Sequence, residues 1–509
     1  MLARLHSVTL DGIEGVICEV EVDVGRGGFE KSIIVGLPDA AVKESTERVR
    51  SAIVNSGYKH PKTASLINLA PADVKKAGPA FDLPIALGML IGQNALSSSI
   101  LHETIIVGEL ALDGRVRPVN GVLSMAMSAA AQGFSRMLVP LDNAQEAAVV
   151  QDIEVYGVGS LAQAAGFLSG QLPLETTNVD IEELFNVSAS YDVDFADVKG
   201  QESVKRALTI AAAGNHNIMM IGPPGAGKTM LSQRLATILP PLTLEQSLET
   251  TRVYSSVGLL GKNKALLATR PVRMPHHSAS GPALVGGGPT PRPGELSLAH
   301  FGILFLDEFV EFPRHVLEMI RQPLEDGFVI VSRAKKTVKF PAHFMLVAAM
   351  NPCPCGYFGS DARQCKCTPG QIRRYLSKVS GPLVDRIDIH IDVPAISFRK
   401  LRSKSGQLDS TVMRADVIRA MGIQAERFGD GRIHTNSRMS HKQVEKFCKL
   451  DSSCEMLLKQ AMQEFGLSAR AHDKICKLAR TIADLAGARD IAAEHVAEAI
   501  SYRKLDRKL

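Results

Sequence analysis

The chain has 509 residues, and its 58 Lys and Arg against 53 Asp and Glu leave a formal net charge of +5, too small an excess to indicate a polyanionic partner by itself. That length exceeds one ordinary core and predicts about three domains; no run of about eighteen apolar residues occurs, and Met1-Leu2-Ala3-Arg4-Leu5-His6 lacks the apolar core of a signal peptide, so a cytoplasmic protein with no membrane partner is expected. Eight cysteines, four of them in one short stretch, fit a reducing compartment and a metal site better than a disulfide framework.

Residues 1–170 alternate short strands with helices: Ile13 to Val24 and Ile105 to Leu110 read as strands, and Ala40 to Ser56 as an amphipathic helix, giving an α+β module. Within it, Gly36-Leu37-Pro38-Asp39, Ile67-Asn68-Leu69-Ala70-Pro71-Ala72 and Gly78-Pro79-Ala80-Phe81-Asp82-Leu83-Pro84 resemble the N-terminal domain of magnesium-chelatase-like AAA+ ATPases. That domain is similar to the Lon protease domain and to the second domain of ribosomal protein S5. The resemblance sets Ala80 at the place of the Lon nucleophile and Leu123 at that of its lysine. Neither side chain is a nucleophile or a base, so the fold is expected without peptidase activity. Residues 171–192, with Glu175, Asp180, Glu182, Glu183 and Asp192, read as an exposed acidic linker.

Residues 193–397 form the expected ATPase core. Asp197-Val198-Lys199-Gly200-Gln201, followed by the helical Val204 to Ala213, resembles the entry to an AAA+ module, where it lies over the adenine; an ordinary surface helix is the other reading. Gly222-Pro223-Pro224-Gly225-Ala226-Gly227-Lys228-Thr229 is the phosphate-loop pattern, set between apolar Ile218 to Ile221 and a helix beginning at Met230. Strand-to-helix turns of this kind aim backbone N–H groups at an anion. Lys228 is expected on the β- and γ-phosphates of ATP and the Thr229 hydroxyl on magnesium. Ile303-Leu304-Phe305-Leu306 reads as a buried strand delivering Asp307 to the magnesium and Glu308 to the attacking water, which favours hydrolysis over transfer to a metabolite.

Arg270 to Pro289 is rich in Pro and Gly and reads as a long ordered insertion. His276 and His277 are open to metal ligation or to polar contacts. In the family resembled, Pro275 to Ser278, Leu284 to Gly288 and Pro293 to His300 belong to a helix-2 insertion facing a ring pore. Val329 to Arg333 and Val338 to Phe340 read as a hairpin. In a ring, Arg333, Lys335 and Lys336 at its tip would form a basic collar for phosphate backbones, and otherwise a solvated turn. Phe344 to Met350 is a further apolar strand, ending at Asn351, where the family places the polar residue that meets the γ-phosphate or its water.

Cys353-Pro354-Cys355 and Cys365-Lys366-Cys367 supply four thiolates able to converge on zinc, with residues 352–370 as the module they staple. Arg363, Lys366, Arg373, Arg374 and Lys378 surround them. Pro382-Leu383-Val384-Asp385-Arg386-Ile387-Asp388 resembles the family's arginine-finger motif, so Arg386 is expected either on the γ-phosphate of a neighbouring subunit or in a pair with Asp385 or Asp388. Residues 398–509 are helical by periodicity, with Val412 to Glu426, His441 to Lys449, Glu455 to Glu464, Ala469 to Leu485 and Ala492 to Tyr502 as a lid. Leu467-Ser468-Ala469-Arg470-Ala471 resembles a second-sensor motif, which makes Arg470 a phosphate contact; Arg480 is a weaker candidate or a solvated residue.

Taken along the whole chain, the pattern resembles the competence-associated members of the magnesium-chelatase-like AAA+ family. That resemblance implies a homohexameric ring acting on single-stranded and branched DNA by driving branch migration in natural transformation. Composition and spacing reach a ring-forming ATPase with a zinc staple. A magnesium-chelatase-type motor subunit and a protein-remodelling chaperone stay open beside it.

Overall fold

A computed structural model describes residues 1–25, 32–76, 78–187, 191–261, 264–333, 336–359, 363–396, 408–429 and 435–503. The chain divides into two compact units, one of Met1–Ala189, Thr243–Ala268 and Thr290–Arg292, the other of Ser190–Leu242, Thr269–Pro289 and Pro293–Leu509. Among the described residues no helix is long and apolar enough to cross a membrane.

The first unit is built on a seven-stranded sheet in the order Ser32–Val35, Ser65–Ala70, Glu14–Val24, Leu2–Asp11, Thr104–Ile106, Arg136–Pro140, Glu154–Val158. Leu2–Asp11 and Glu14–Val24 pair antiparallel with Asp11 opposite Glu14, leaving Gly12 and Ile13 as a two-residue turn. Gly12 sits at φ +66, the first-position conformation a type II′ hairpin requires. The last three strands pair in parallel, and one covering helix, Asp82–Gly92, is buried along its whole length. The Ile105 to Leu110 strand expected from sequence is interrupted: Thr104–Ile106 joins the sheet, while Glu109–Leu110 pairs with Val116–Arg117. Ala80 and Leu123, set at the Lon dyad positions, are both buried apolar side chains.

Two segments of this unit lie outside the strand-and-helix alternation read over residues 1–170. The acidic stretch 171–192 contains a helix, Ile181–Val187. The helix Leu244–Ser256, which follows the phosphate loop in sequence, packs on Val122–Ala131 of the first unit, where the Ser255 hydroxyl meets the buried Glu146 carboxylate and Arg252 pairs with Glu14 at 2.5 Å.

The second unit holds a five-stranded, all-parallel sheet in the order Val272–Arg273, Ile303–Leu306, Met345–Met350, Ile218–Ile221, Ile389–Asp392. Numbered by chain position this is 2-3-4-1-5. Three of its strands are buried at every residue, which is why each reads as a continuous apolar run with no alternation. The helices Ser410–Phe428, His441–Phe447, Ser452–Phe465, Ala469–Leu485 and Ala493–Ser501 share one apolar core with this sheet through residues such as Val417, Leu458 and Ile475. Arg480 is not solvated. It is 3% exposed, bonds Asp484 at 3.0 Å and donates to the carbonyls of Ala488 and Arg489 at 2.7 and 2.8 Å, satisfying backbone acceptors just past its own helix.

Candidate functional site

Parallel α/β sheets place ligands in the crevice beyond the carboxyl ends of their strands, and here the predicted nucleotide residues converge at that edge. Ile218–Ile221 runs into the phosphate loop and then into the helix Lys228–Ile238. Gly225 and Gly227 take φ +76 and +84, conformations that side-chain-bearing residues rarely adopt. A cleft of about 650 Å³ is lined by the loop from Pro224 to Met230 and by Asp307, Glu308, Asn351 and His277 among others.

Its polar groups form one connected set. Lys228 Nζ donates to the carbonyls of Gly222 and Pro223 at 2.7 and 3.0 Å and lies 3.2 Å from Asn351 Oδ1. Burial pulls its ammonium below the ordinary lysine range, with the Asp307 carboxylate opposing the shift. A cation held by neutral carbonyls in a desolvated cleft is poised to exchange them for an anion. The Thr229 hydroxyl donates to Asp307 Oδ2 at 2.7 Å, so the two expected magnesium ligands are in contact. Asp307 Oδ1 accepts the Glu308 N–H at 2.8 Å.

Glu308 stands at φ +51, a left-handed conformation uncommon for a side-chain-bearing residue, and its carboxylate lies 3.0 Å from His277 Nδ1. His276 bonds Ser278 Oγ at 2.8 Å. The histidine pair thus makes polar contacts, the second of the two sequence readings. Gln201, not assigned a contact from sequence, donates through Nε2 to Ala226 of the loop at 2.9 Å and to Pro394 at 3.1 Å.

Two predicted residues lie elsewhere. Arg386 Nη2 pairs with Glu325 at 2.6 Å and Nη1 donates to Pro382, so its intrasubunit partner is neither Asp385 nor Asp388. Arg470 is exposed at the second residue of the helix Ala469–Leu485 and is not among the residues lining the cleft. The hairpin Phe328–Arg333 and Lys336–Pro341 is formed with Arg333 opposite Lys336. Lys335 and the side chains of Arg333 and Lys336 lie outside the described residues.

The sulfurs of Cys353, Cys355, Cys365 and Cys367 all lie within 4.8 Å of one another, the single group of three or more potential metal ligands among the described residues. Cys353 is 3.3 Å from Cys355 and 3.7 Å from Cys365, and Cys355 is 3.6 Å from Cys365. Four sulfurs at tetrahedral zinc distances stand about 3.8 Å apart, so the set fits that ion with small adjustment. The backbone N–H groups of Tyr357 and Lys366 pull the Cys355 thiol down to about 6, while burial and the neighbouring sulfurs push Cys365 and Cys367 up, so the four thiols do not all ionise without a cation among them. Arg363, Lys366, Arg373 and Arg374 are exposed on the same module.

Three family models match consecutive parts of the chain: "Subunit ChlI of Mg-chelatase" over residues 20–143, "Magnesium chelatase, subunit ChlI" over 194–401, and "Magnesium chelatase, subunit ChlI C-terminal" over 407–503. The chain is 43% identical over 516 residues to the competence protein ComM of Haemophilus influenzae, covering 100% of this chain and 98% of that protein. It is 41% identical over 510 residues to YifB of Salmonella typhimurium, with the same coverage of each chain. Likeness to the magnesium-chelatase 38 kDa subunit of Rhodobacter capsulatus is 27% over 177 residues, 31% of this chain and 50% of that subunit. The chain belongs to the ComM/YifB family of magnesium-chelatase-like AAA+ ATPases.

Proposed function

We propose that this protein is a cytoplasmic ATP hydrolase that moves along DNA as a ring of six identical subunits and drives branch migration while incoming strands are integrated in natural transformation. The observation that carries the ATPase half is the connected set Lys228, Asn351, Thr229 and Asp307 at the ends of three parallel strands. In this reading the amides of Gly222 to Thr229, with Lys228, bind the phosphates, and Met230 continues the cradle as the helix begins. Thr229 and Asp307 hold magnesium, which supplies charge neutralisation at the transferring phosphoryl group. Asn351 orients the γ-phosphate or its water. Glu308 polarises the water once it turns from His277 toward the phosphate.

Arg386 from a neighbouring copy completes the site by exchanging the Glu325 carboxylate for the γ-phosphate, one anion for another. Arg470, free to swing from an exposed helix start, adds a second phosphate contact. Cys353, Cys355, Cys365 and Cys367 hold zinc, which gives their short turn folding free energy it cannot draw from a core of its own.

The DNA half rests on the full-length similarity to a competence protein and on the exposed Arg363, Lys366, Arg373 and Arg374, joined by the hairpin residues Arg333, Lys335 and Lys336. Lys and Arg on phosphates read charge and not base edges, as a motor crossing any sequence requires. The deciding experiment is ATP turnover alone and with single-stranded, duplex and four-way-junction DNA. Stimulation by DNA, greatest on the junction, is expected. The family models' own name keeps a chelatase motor as the second reading. Turnover indifferent to every DNA, but coupled to magnesium insertion into a porphyrin by an acidic partner, would favour it.

A further inference from the structure

The turn that bears the cysteine cluster packs against the phosphate loop that lines the cleft. Asn351, bonded to Lys228, stands two residues before Cys353. Gly356, directly after Cys355, lies at φ +84 and donates its N–H to Cys353 O at 2.9 Å. A Cβ on Gly356 would stand 2.6 Å from Cδ and 2.8 Å from Cγ of Pro224 in the phosphate loop, and 3.9 Å from Asn351 Cγ. Its α-carbon is therefore seated on the Pro224 ring with no room for one more carbon. Directly after the cluster in sequence, the helix Pro369–Leu376 contributes the buried Tyr375, whose phenol is bonded by the Asn351 backbone and is pushed up to about 12 by burial.

The cluster is thus tied to the nucleotide residues at both of its ends. We propose that the zinc-loaded cysteine turn buttresses the phosphate loop through the Gly356–Pro224 contact, so that metal occupancy of the cluster sets nucleotide affinity. The inference rests on the ATPase reading and on zinc as the bound ion. The turn from 352 to 368 has one fully buried cysteine, Cys353, and little apolar material of its own. Asn351 is anchored by the strand Met345–Met350 before it, whereas among the described residues of the turn the four-sulfur cluster is the cross-link that would fix Gly356 against Pro224. The loop that must present its amides to a triphosphate then loses one of its rigid neighbours, and binding falls because the free protein is no longer preorganised. Gly356 acts through Pro224 and is a positioning residue.

The test measures ADP binding to the full chain by calorimetry, with zinc counted in the same samples. Gly356→Ala is expected to retain one zinc per chain yet bind ADP at least about tenfold more weakly, since overpacking a fitted contact typically costs that much. Stripping zinc from the parent with a mercurial and a chelator should weaken ADP binding comparably, and re-adding zinc should restore it. Backbone amide exchange over 222–229 should quicken in both cases. Undiminished ADP affinity in the stripped parent overturns the inference, whether or not Gly356→Ala folds. A zinc-loaded Gly356→Ala that binds ADP as the parent does overturns it equally. A zinc-loaded parent that binds no ADP overturns the ATPase reading itself, a result distinct from either.

Discussion

Lys474→Met tests whether a buried ion pair joins the helix Ala469–Leu485 to the segment that bears Arg386 and Asp388. Lys474 Nζ lies 2.7 Å from Asp388 Oδ1 on a side chain only 17% exposed, and Asp388 also accepts the Asn217 N–H at 3.2 Å and lies 3.5 Å from His216 Nδ1. Burial by itself would raise the Asp388 carboxyl; the Lys474 ammonium, ahead of His216, overrides it and holds the group far below the usual carboxylate range. Removing one partner of a buried pair strands the other charge, at about 3–5 kcal/mol. Because Asn217 and His216 remain, the lower end, about 3 kcal/mol at pH 7, is expected. The sign with pH follows from the depressed carboxyl. In the parent its contribution is present above the ordinary carboxylate range and is lost only as pH falls through the lower folded value. In the variant, burial now dominates and the carboxyl rises, so protonation relieves the stranded charge as pH drops from 7 toward about 5. Urea unfolding of parent and variant at both pH values measures this. A deficit under about 1 kcal/mol at pH 7, or one that does not shrink toward pH 5, would refute the claim that Lys474 holds Asp388 ionised.

At the nucleotide site, Glu308→Gln should still bind ATP, because Lys228, Thr229 and Asp307 are untouched, while hydrolysis falls at least about a hundredfold; equal turnover would remove Glu308 as the group acting on water. Metal analysis should find one zinc per chain and its loss in Cys355→Ser, whereas Ser at Cys18, Cys448, Cys454 or Cys476, all buried away from the cluster, should leave it in place. On DNA, binding should weaken steeply with salt, each duplex phosphate contact contributing about 0.9 to the log–log slope. Changing Lys335 and Lys336 together to Ala should flatten that slope and uncouple turnover from DNA, and a double variant as active as the parent on a four-way junction would put the DNA path elsewhere.

Much of the site was legible because its chemistry sits where buried parallel strands end, and such strands announce themselves. Ile303–Leu306 and Ile218–Ile221 appear in the sequence as unbroken apolar runs followed at once by Asp307 and by the phosphate loop. The cysteine spacing was equally direct, since four thiols in so short a stretch have few other ways to be satisfied. What stayed hidden is set by long-range packing. Thr243 caps Leu244–Ser256 with its side chain, a signal that fixes where a helix starts but not which core it serves, and the helix turns out to serve the first unit through Arg252 and Ser255. The partner of Arg386 is neither of its neighbours Asp385 and Asp388 but Glu325, 61 positions earlier in the chain.

His277 shows the limit most plainly. An adjacent pair of histidines reads as a possible metal site, and only the fold brings one of them to Glu308, the carboxylate proposed to act on water. If Glu308 must leave His277 to work, the segment beginning at His276 is more than an insertion beside the site. Its movement would set whether the Glu308 carboxylate is held or released, while Gly356 abuts Pro224 of the phosphate loop that lines the same cleft. On the proposed reading the two segments act on different steps: the cysteine turn on holding the nucleotide, the histidine segment on splitting it. Perturbing the first should therefore move nucleotide affinity, and perturbing the second should move turnover at saturating ATP.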